Sequence, residues 1–140
     1  MIITDVIDFN MKYGLPHGER DDLTSKIVDL TNDEIDYRLG FLEEEYLETK
    51  KAFKENNTEE IIDGLLDLVY VAIGTLTLME MSEVQIREHW SEIQRANMTK
   101  ERSSGDGDVR SKRGHSLDVV KPEGWTPPDH QTILKKYADE

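Results

Sequence analysis

Apolar residues recur along this chain mostly at helical spacing, and short polar breaks divide them into segments. Ile2, Ile3, Val6, Ile7, Phe9 and Met11 fall largely along one side of a helix that Gly14 and Pro16 end. His17 to Ser25 is charged and turn-like, a connection or a segment that closes over a ligand. Thr31-x-x-Glu34 has the form of a capping box, so a second helix opens near Asn32 and runs to about Glu55. Ile35, Leu39, Leu42, Tyr46 and Phe53 give that helix an apolar stripe. Asn56-Asn57 breaks it, and Thr58 is placed to cap the next helix. From Ile61 to Leu78 nearly every face is apolar, the pattern of a buried helix. Ser82-x-x-Gln85 repeats the capping box and opens a fourth helix, about Glu83 to Asn97, with Val84, Ile86, Trp90 and Ile93 as its buried side. The chain then turns to Gly, Ser and mixed charge over 101–120, which reads as a loop, followed by a Pro-Glu-Gly-Trp-Thr-Pro-Pro turn. A short last helix spans about Asp129 to Tyr137. The pattern predicts an all-α helical bundle of four main helices and a C-terminal tail, one domain over 1–140 with a loop-rich stretch from about 99 to 128.

Carboxylates interrupt this pattern at two places. At about 100° per residue, Glu44, Glu45 and Glu48 fall within an arc of roughly 100° on the second helix. Glu60, Asp63 and Asp67 fall within roughly 60° on the third. A short connection favours antiparallel packing, which lets the six converge. That many like charges gather only if they take up protons or share cations. Oxygen ligands of this hardness suit Mg²⁺ or Mn²⁺, ions that serve phosphate chemistry. Asp67 lies inside the apolar run, where an unpartnered ionised carboxylate is costly and a bound cation keeps it charged. The plainer alternatives are a solvated acidic face paired with Lys50, Lys51 and Lys54, and an Asp67 hydrogen-bonded at the helix margin.

Charge and composition narrow the field. A net charge of −13 with a pI near 4.7 argues against sequence-independent binding to nucleic acid or to an anionic membrane. Nucleotides stay admissible because a divalent ion inverts the local field. Cysteine is absent, which removes disulfides, thiol chemistry and Cys-based zinc sites. The run 61–78 is long enough to raise a membrane question, but its two Asp and the lack of flanking Lys or Arg argue against a span. With no basic leader at the N-terminus, the cytoplasm is the expected location. No P-loop, Ser-His-Asp order or zinc-ligand spacing occurs, and His89 reads as a surface or packing residue. Arg102, Arg110, Lys112 and Arg113 make the 101–120 loop the most basic stretch, either for phosphate recognition or as a solvated loop.

Glu44-Glu45-x-x-Glu48, followed by acidic positions just before Leu68-Val69-Tyr70-Val71, resembles the EExxE…ExxD signature of the MazG-like all-α nucleotide pyrophosphohydrolases. That superfamily takes in dimeric dUTPases and phosphoribosyl-ATP pyrophosphohydrolases. The likeness continues, in order, through Tyr70-Val71-x-x-Gly74-Thr75, Arg95-Ala96-Asn97-Met98-Thr99-Lys100 and Lys121-Pro122-Glu123-Gly124-Trp125-x-Pro127, segments of small single-domain bacterial and phage members. One position departs: with Asp67 as the final Asp, the pattern's Glu falls at Gly64, and Asp63 or Glu60 are the replacements available.

The resemblance implies a metal-dependent (d)NTP pyrophosphohydrolase that releases (d)NMP and diphosphate. It implies two or three Mg²⁺ or Mn²⁺ held by Glu45, Glu48, Asp63 and Asp67, with Glu60 as a further ligand, and Glu44 as general base. Lys100, with help from the 102–113 loop, would steady the phosphates, Asn97 and Tyr70 would help form the nucleoside pocket, and Asn10 would line it. Lys121 and Trp125 are further substrate-binding candidates, Trp125 stacking on a base or pinning the tail. Phe9 and Tyr13 read first as core or helix-end packing. A homodimer or homotetramer is expected, since the superfamily builds its bundle from more than one chain. Two alternatives remain: a dUTPase-like or single-dNTP enzyme, and a weakened metal- or nucleotide-binding regulator.

Overall fold

Side chains that satisfy free backbone N–H groups set where the main helices begin. The computed structural model describes residues 1–19, 26–105 and 107–138; of the 17–25 connection, 20–25 lie outside the described residues. Helix α1 spans Ile2–Lys12. Helix α2, Asn32–Lys54, opens on the expected capping box: Glu34 N–H donates to Thr31 Oγ1 at 3.2 Å and Thr31 N–H to Glu34 Oε1 at 2.8 Å. Helix α3, Thr58–Leu78, is capped not by Thr58 but by Asn57, whose side chain accepts from Glu60 N–H. Asn56 just before it takes the left-handed conformation (φ 53°) that asparagine tolerates and that turns the chain between the two helices. Helix α4, Glu83–Met98, opens on the Ser82–Gln85 box, both members of which are buried.

The chain divides into two compact units, Met1–Ile86 and Arg87 onward. In the first, α2 and α3 run antiparallel. Gly64 backs onto Thr49 near one end of the pair, while Arg38, earlier in α2, donates to Val71 O at 2.9 Å and Thr75 Oγ1 at 3.0 Å. Helix α1 packs on α3 through Val6 and Ile7. Asn10 Nδ2 donates to Thr77 Oγ1 at 2.7 Å and to Pro16 O at 2.9 Å, tying α1 and its exit to α3. Gly18 lies so close to the Met81 carbonyl that no side chain fits there.

Three expectations about burial need correction. The α2 stripe is not covered within the chain: Leu39 (60% exposed), Tyr46 and Phe53 stand in the open, and Thr49 and Ala52 are buried instead. Helix α3 is not buried all round, since Ile62, Leu65, Leu66 (62%), Val69 and Tyr70 are exposed and its inner face is Gly64, Val71, Gly74 and Thr77. On α4, Ile86 is buried but Trp90 is 63% exposed. On α2 and α3 the reason is that small residues at the seam (Gly64, Gly74, Thr49 and Ala52) let the two helices approach closely, which leaves the large side chains outside the contact. By length and composition α3 is also able to cross a membrane.

In the second unit, strands β1 (Glu101–Arg102) and β2 (Val119–Val120) form an antiparallel two-residue ladder that closes the 101–120 loop. Two of its cations, Arg110 and Arg113, are held by carboxylates of the same unit. Arg110 binds Asp108 and Glu101, and Arg113 binds Asp118 at 2.6 Å. The Arg110 bonds hold the Asp108 carboxyl below the usual carboxylate range, and the Ser111 hydroxyl first, with Arg113 after it, does the same for Asp118. Helix α5, His130–Ala138, closes the described chain.

Candidate functional site

In the first unit the α2–α3 seam brings carboxylates of both helices together. Burial pushes the Glu45 carboxyl above its ordinary value, and Asp67, Glu48, Glu44 and Asp63 add to the shift by repulsion. Asp67 is raised by burial first, then by Asp63, with which it also shares a hydrogen bond. Glu45 and Asp67 are half-buried; Glu44, Glu48 and Asp63 are exposed. Glu60 stands apart in the first turn of α3 and is not among the groups acting on Glu45. Among the described residues, no three acidic or imidazole side chains stand together tightly enough to hold an ion as they are. The donor set nevertheless fits Mg²⁺ or Mn²⁺ in kind: hard oxygens, half-desolvated and mutually repelled.

The departure at Gly64 has a packing cause. A Cβ at this position would overlap Thr49 Oγ1, so the pattern's Glu has no room while α2 and α3 keep their present spacing. Thr49 is itself buried, and its hydroxyl donates to Glu45 O at 2.7 Å. The contact that excludes a side chain at 64 thus lies one helical turn from Glu45.

Tyr70 follows Asp67 by one turn and is partly exposed, its ring meeting Phe9 edge-on at 5.5 Å. Phe9 also touches Tyr13 at 4.8 Å, and both are exposed rather than packed inside. The three rings form an aromatic corner beside the acidic set. The spacing of Phe9 and Tyr13, four apart on one helix, was the available signal for it. Asn10 is 3% exposed, with both amide hydrogens spent on Pro16 and Thr77, so its side chain serves the fold.

In the second unit Trp125 is the centre. Its Nε1–H donates to Ala96 O at 2.7 Å, and the Lys121 and Lys100 ammoniums lie 4.9 and 5.4 Å from the ring centroid. Two cations therefore already occupy the indole. Arg95 fastens the same turn through Thr126 O and Pro127 O and is paired with Glu92, a structural use that the sequence did not separate from phosphate binding. Asn97 is exposed at the end of α4.

The helices and their acidic pattern place the chain in the MazG-like all-α nucleotide pyrophosphohydrolase superfamily. The model of the phosphoribosyl-ATP pyrophosphohydrolase family matches residues 19–97, more than half of the chain, and the chain belongs to that family. It is a pyrophosphohydrolase acting on nucleotide pyrophosphate bonds. No curated protein matches it.

Proposed function

We propose that the chain hydrolyses (d)NTPs to (d)NMP and diphosphate. The observation that carries this is the convergence of Glu45, Asp67 and Asp63 across the α2–α3 seam in a chain of this family. Glu45, Glu48, Asp63 and Asp67 would hold Mg²⁺ or Mn²⁺, with Glu60 the more distant candidate. Bound there, such ions neutralise phosphate charge and lower the pKa of a bound water. Glu44, exposed and adjacent to Glu45, takes the water's proton. The water oxygen bonds to the α-phosphorus, the α–β bridging bond breaks, and diphosphate leaves with that bridging oxygen. Tyr70, with Phe9 and Tyr13, offers aromatic faces to the nucleoside. Lys100 and Lys121 bind phosphate oxygens, and Asn97 and Trp125 contribute to substrate binding.

Leu39, Tyr46 and Phe53 recur every seven residues along α2, Ile62, Leu66 and Val69 recur at helical spacing on α3, and all six are exposed, the pattern of apolar stripes that another helix covers. A second copy covering them makes the homodimer or homotetramer that completes the bundle. The same reading assigns the cytoplasm, with neither nucleic acid nor membrane as partner. Gly64 favours one second reading, a metal- and nucleotide-binding regulator with weakened turnover.

Product analysis tests these. The full chain is incubated with each dNTP, dUTP, the NTPs and phosphoribosyl-ATP, with Mg²⁺ or Mn²⁺. Monophosphate plus diphosphate, abolished by chelation, is the expected result, and turnover of one dNTP alone would narrow the enzyme to a dUTPase-like type. Monophosphate only from phosphoribosyl-ATP would replace the substrate assignment. Diphosphate plus orthophosphate would refute the bond assignment. Metal-dependent nucleotide binding without products would favour the regulator.

A further inference from the structure

Outside the acidic set, the second unit holds a contact between two imidazoles. His89 of α4 and His130 at the start of α5 meet Nδ1 to Nδ1 at 2.8 Å, with ring centroids 5.0 Å apart and planes tilted by 31°. The sequence separates them by 41 positions, and neither belongs to the residues assigned to the reaction. A hydrogen bond between two ring nitrogens needs one proton, carried by one partner and accepted by the lone pair of the other. If both Nδ1 atoms were protonated, two donors and two positive charges would face each other. Among the described residues no third acidic or imidazole ligand joins the pair to form a metal centre.

We propose that His89 and His130 form a proton-sensitive latch that holds α5 on α4 at neutral pH and releases it in mild acid. The surrounding charged groups were weighed in turn. Glu88 of α4 accepts from Lys136 Nζ at 2.7 Å and Tyr137 Oη at 3.0 Å, so its charge is committed to the far end of α5. Glu92 accepts from Asp129 N–H and is paired with Arg95; Asp129 accepts from Thr132. None of these carboxylates bonds to the imidazole pair, and Glu88 is the one whose charge favours a protonated His89. Burial outweighs it: the His89 ring is held below its ordinary value by burial first and by His130 second. The docked helix therefore binds fewer protons than the released one, and docking weakens as pH falls below the ordinary histidine value of about 6.5. The Glu88 contacts fail only in a separate, more acidic window, because Lys136 holds that carboxyl below its usual range.

The test is an NMR titration of the imidazole resonances in the full chain, with amide exchange of residues 130–138 followed over the same pH range. Coupled sites take up protons in two steps separated by more than about one unit. Intrinsically corrected exchange across α5 should rise by about tenfold or more with the lower step. In His130→Asn, His89 should titrate as a single group above its wild-type position and still below the ordinary value, because burial remains, and the pH step in α5 exchange should shrink. Two independent titrations in the ordinary range, or an α5 step unchanged in His130→Asn, would overturn the latch. The wild-type titration decides the matter even if the variant leaves α5 undocked at every pH.

Discussion

Gly64→Ala tests whether the α2–α3 seam has the spacing that the acidic set depends on. In an ordinary helix interior the exchange stabilises by about 1 kcal/mol, because alanine loses less backbone freedom on folding. Here the new Cβ would overlap Thr49 Oγ1 and stand 3.2 Å from Thr49 Cβ. Thr49 can turn its hydroxyl away only by giving up the bond to Glu45 O, worth about 1 kcal/mol. That rotation leaves the tight Cβ contact, and forcing side chains apart in a packed seam costs about 1–3 kcal/mol. The net expectation is a loss of about 1–3 kcal/mol, read as a lower urea midpoint at unchanged slope. Thr49→Ala removes the obstructing hydroxyl and keeps the Cβ, so in that background the loss on Gly64→Ala should shrink by about 1 kcal/mol, the hydroxyl's share, which is the coupling energy in the cycle. The single variant should also show a smaller Mn²⁺-induced rise in melting temperature, since widening the seam moves Glu45 away from Asp67. A Gly64→Ala chain at least as stable as wild type, or an equal loss with and without Thr49, would refute the contact.

Asn10→Ala strands Pro16 O and Thr77 Oγ1 in the first unit and should cost about 2–3 kcal/mol in chemical denaturation; a loss below about 0.5 kcal/mol would mean that those bonds are not formed. Asp67→Asn removes one of the repelled carboxylates, so it should raise the melting temperature in EDTA while abolishing both the Mn²⁺-dependent rise and turnover; a lower metal-free melting temperature would contradict the repulsion. The Glu88 carboxyl is held below its ordinary 4.5 chiefly by the Lys136 hydrogen bond, so its contribution is present above that value and fades as pH falls through the lowered one. Glu88→Gln should therefore flatten the acid limb of stability below pH 4.5, and an unchanged limb would place the acid sensitivity elsewhere.

What the sequence disclosed and what it hid divide along a physical line. Capping boxes, the Asn56-Asn57 break and the acidic spacing act within a few residues, so the helix bounds and the two carboxylate faces could be read directly. Helical period tells which residues share a face but not what covers that face. The period thus puts Trp90 on the buried side of α4 and makes a stripe of Leu39, Tyr46 and Phe53, while the folded chain leaves all four exposed. The ion pairs that occupy Arg110 and Arg113, the Trp125 cluster and the His89–His130 contact join positions whose meeting depends on tertiary register, which no local pattern encodes. Gly64 shows both sides of this line. In sequence it is a gap in an acidic pattern; in the fold it is the point of close approach that sets Glu45 against Asp67. Restoring a glutamate there would add a carboxylate to the pattern and push apart the helices that bring the other carboxylates together. The carboxylate that does stand against Asp67 is Asp63, one residue earlier, which hydrogen-bonds to it and is exposed rather than packed in the seam.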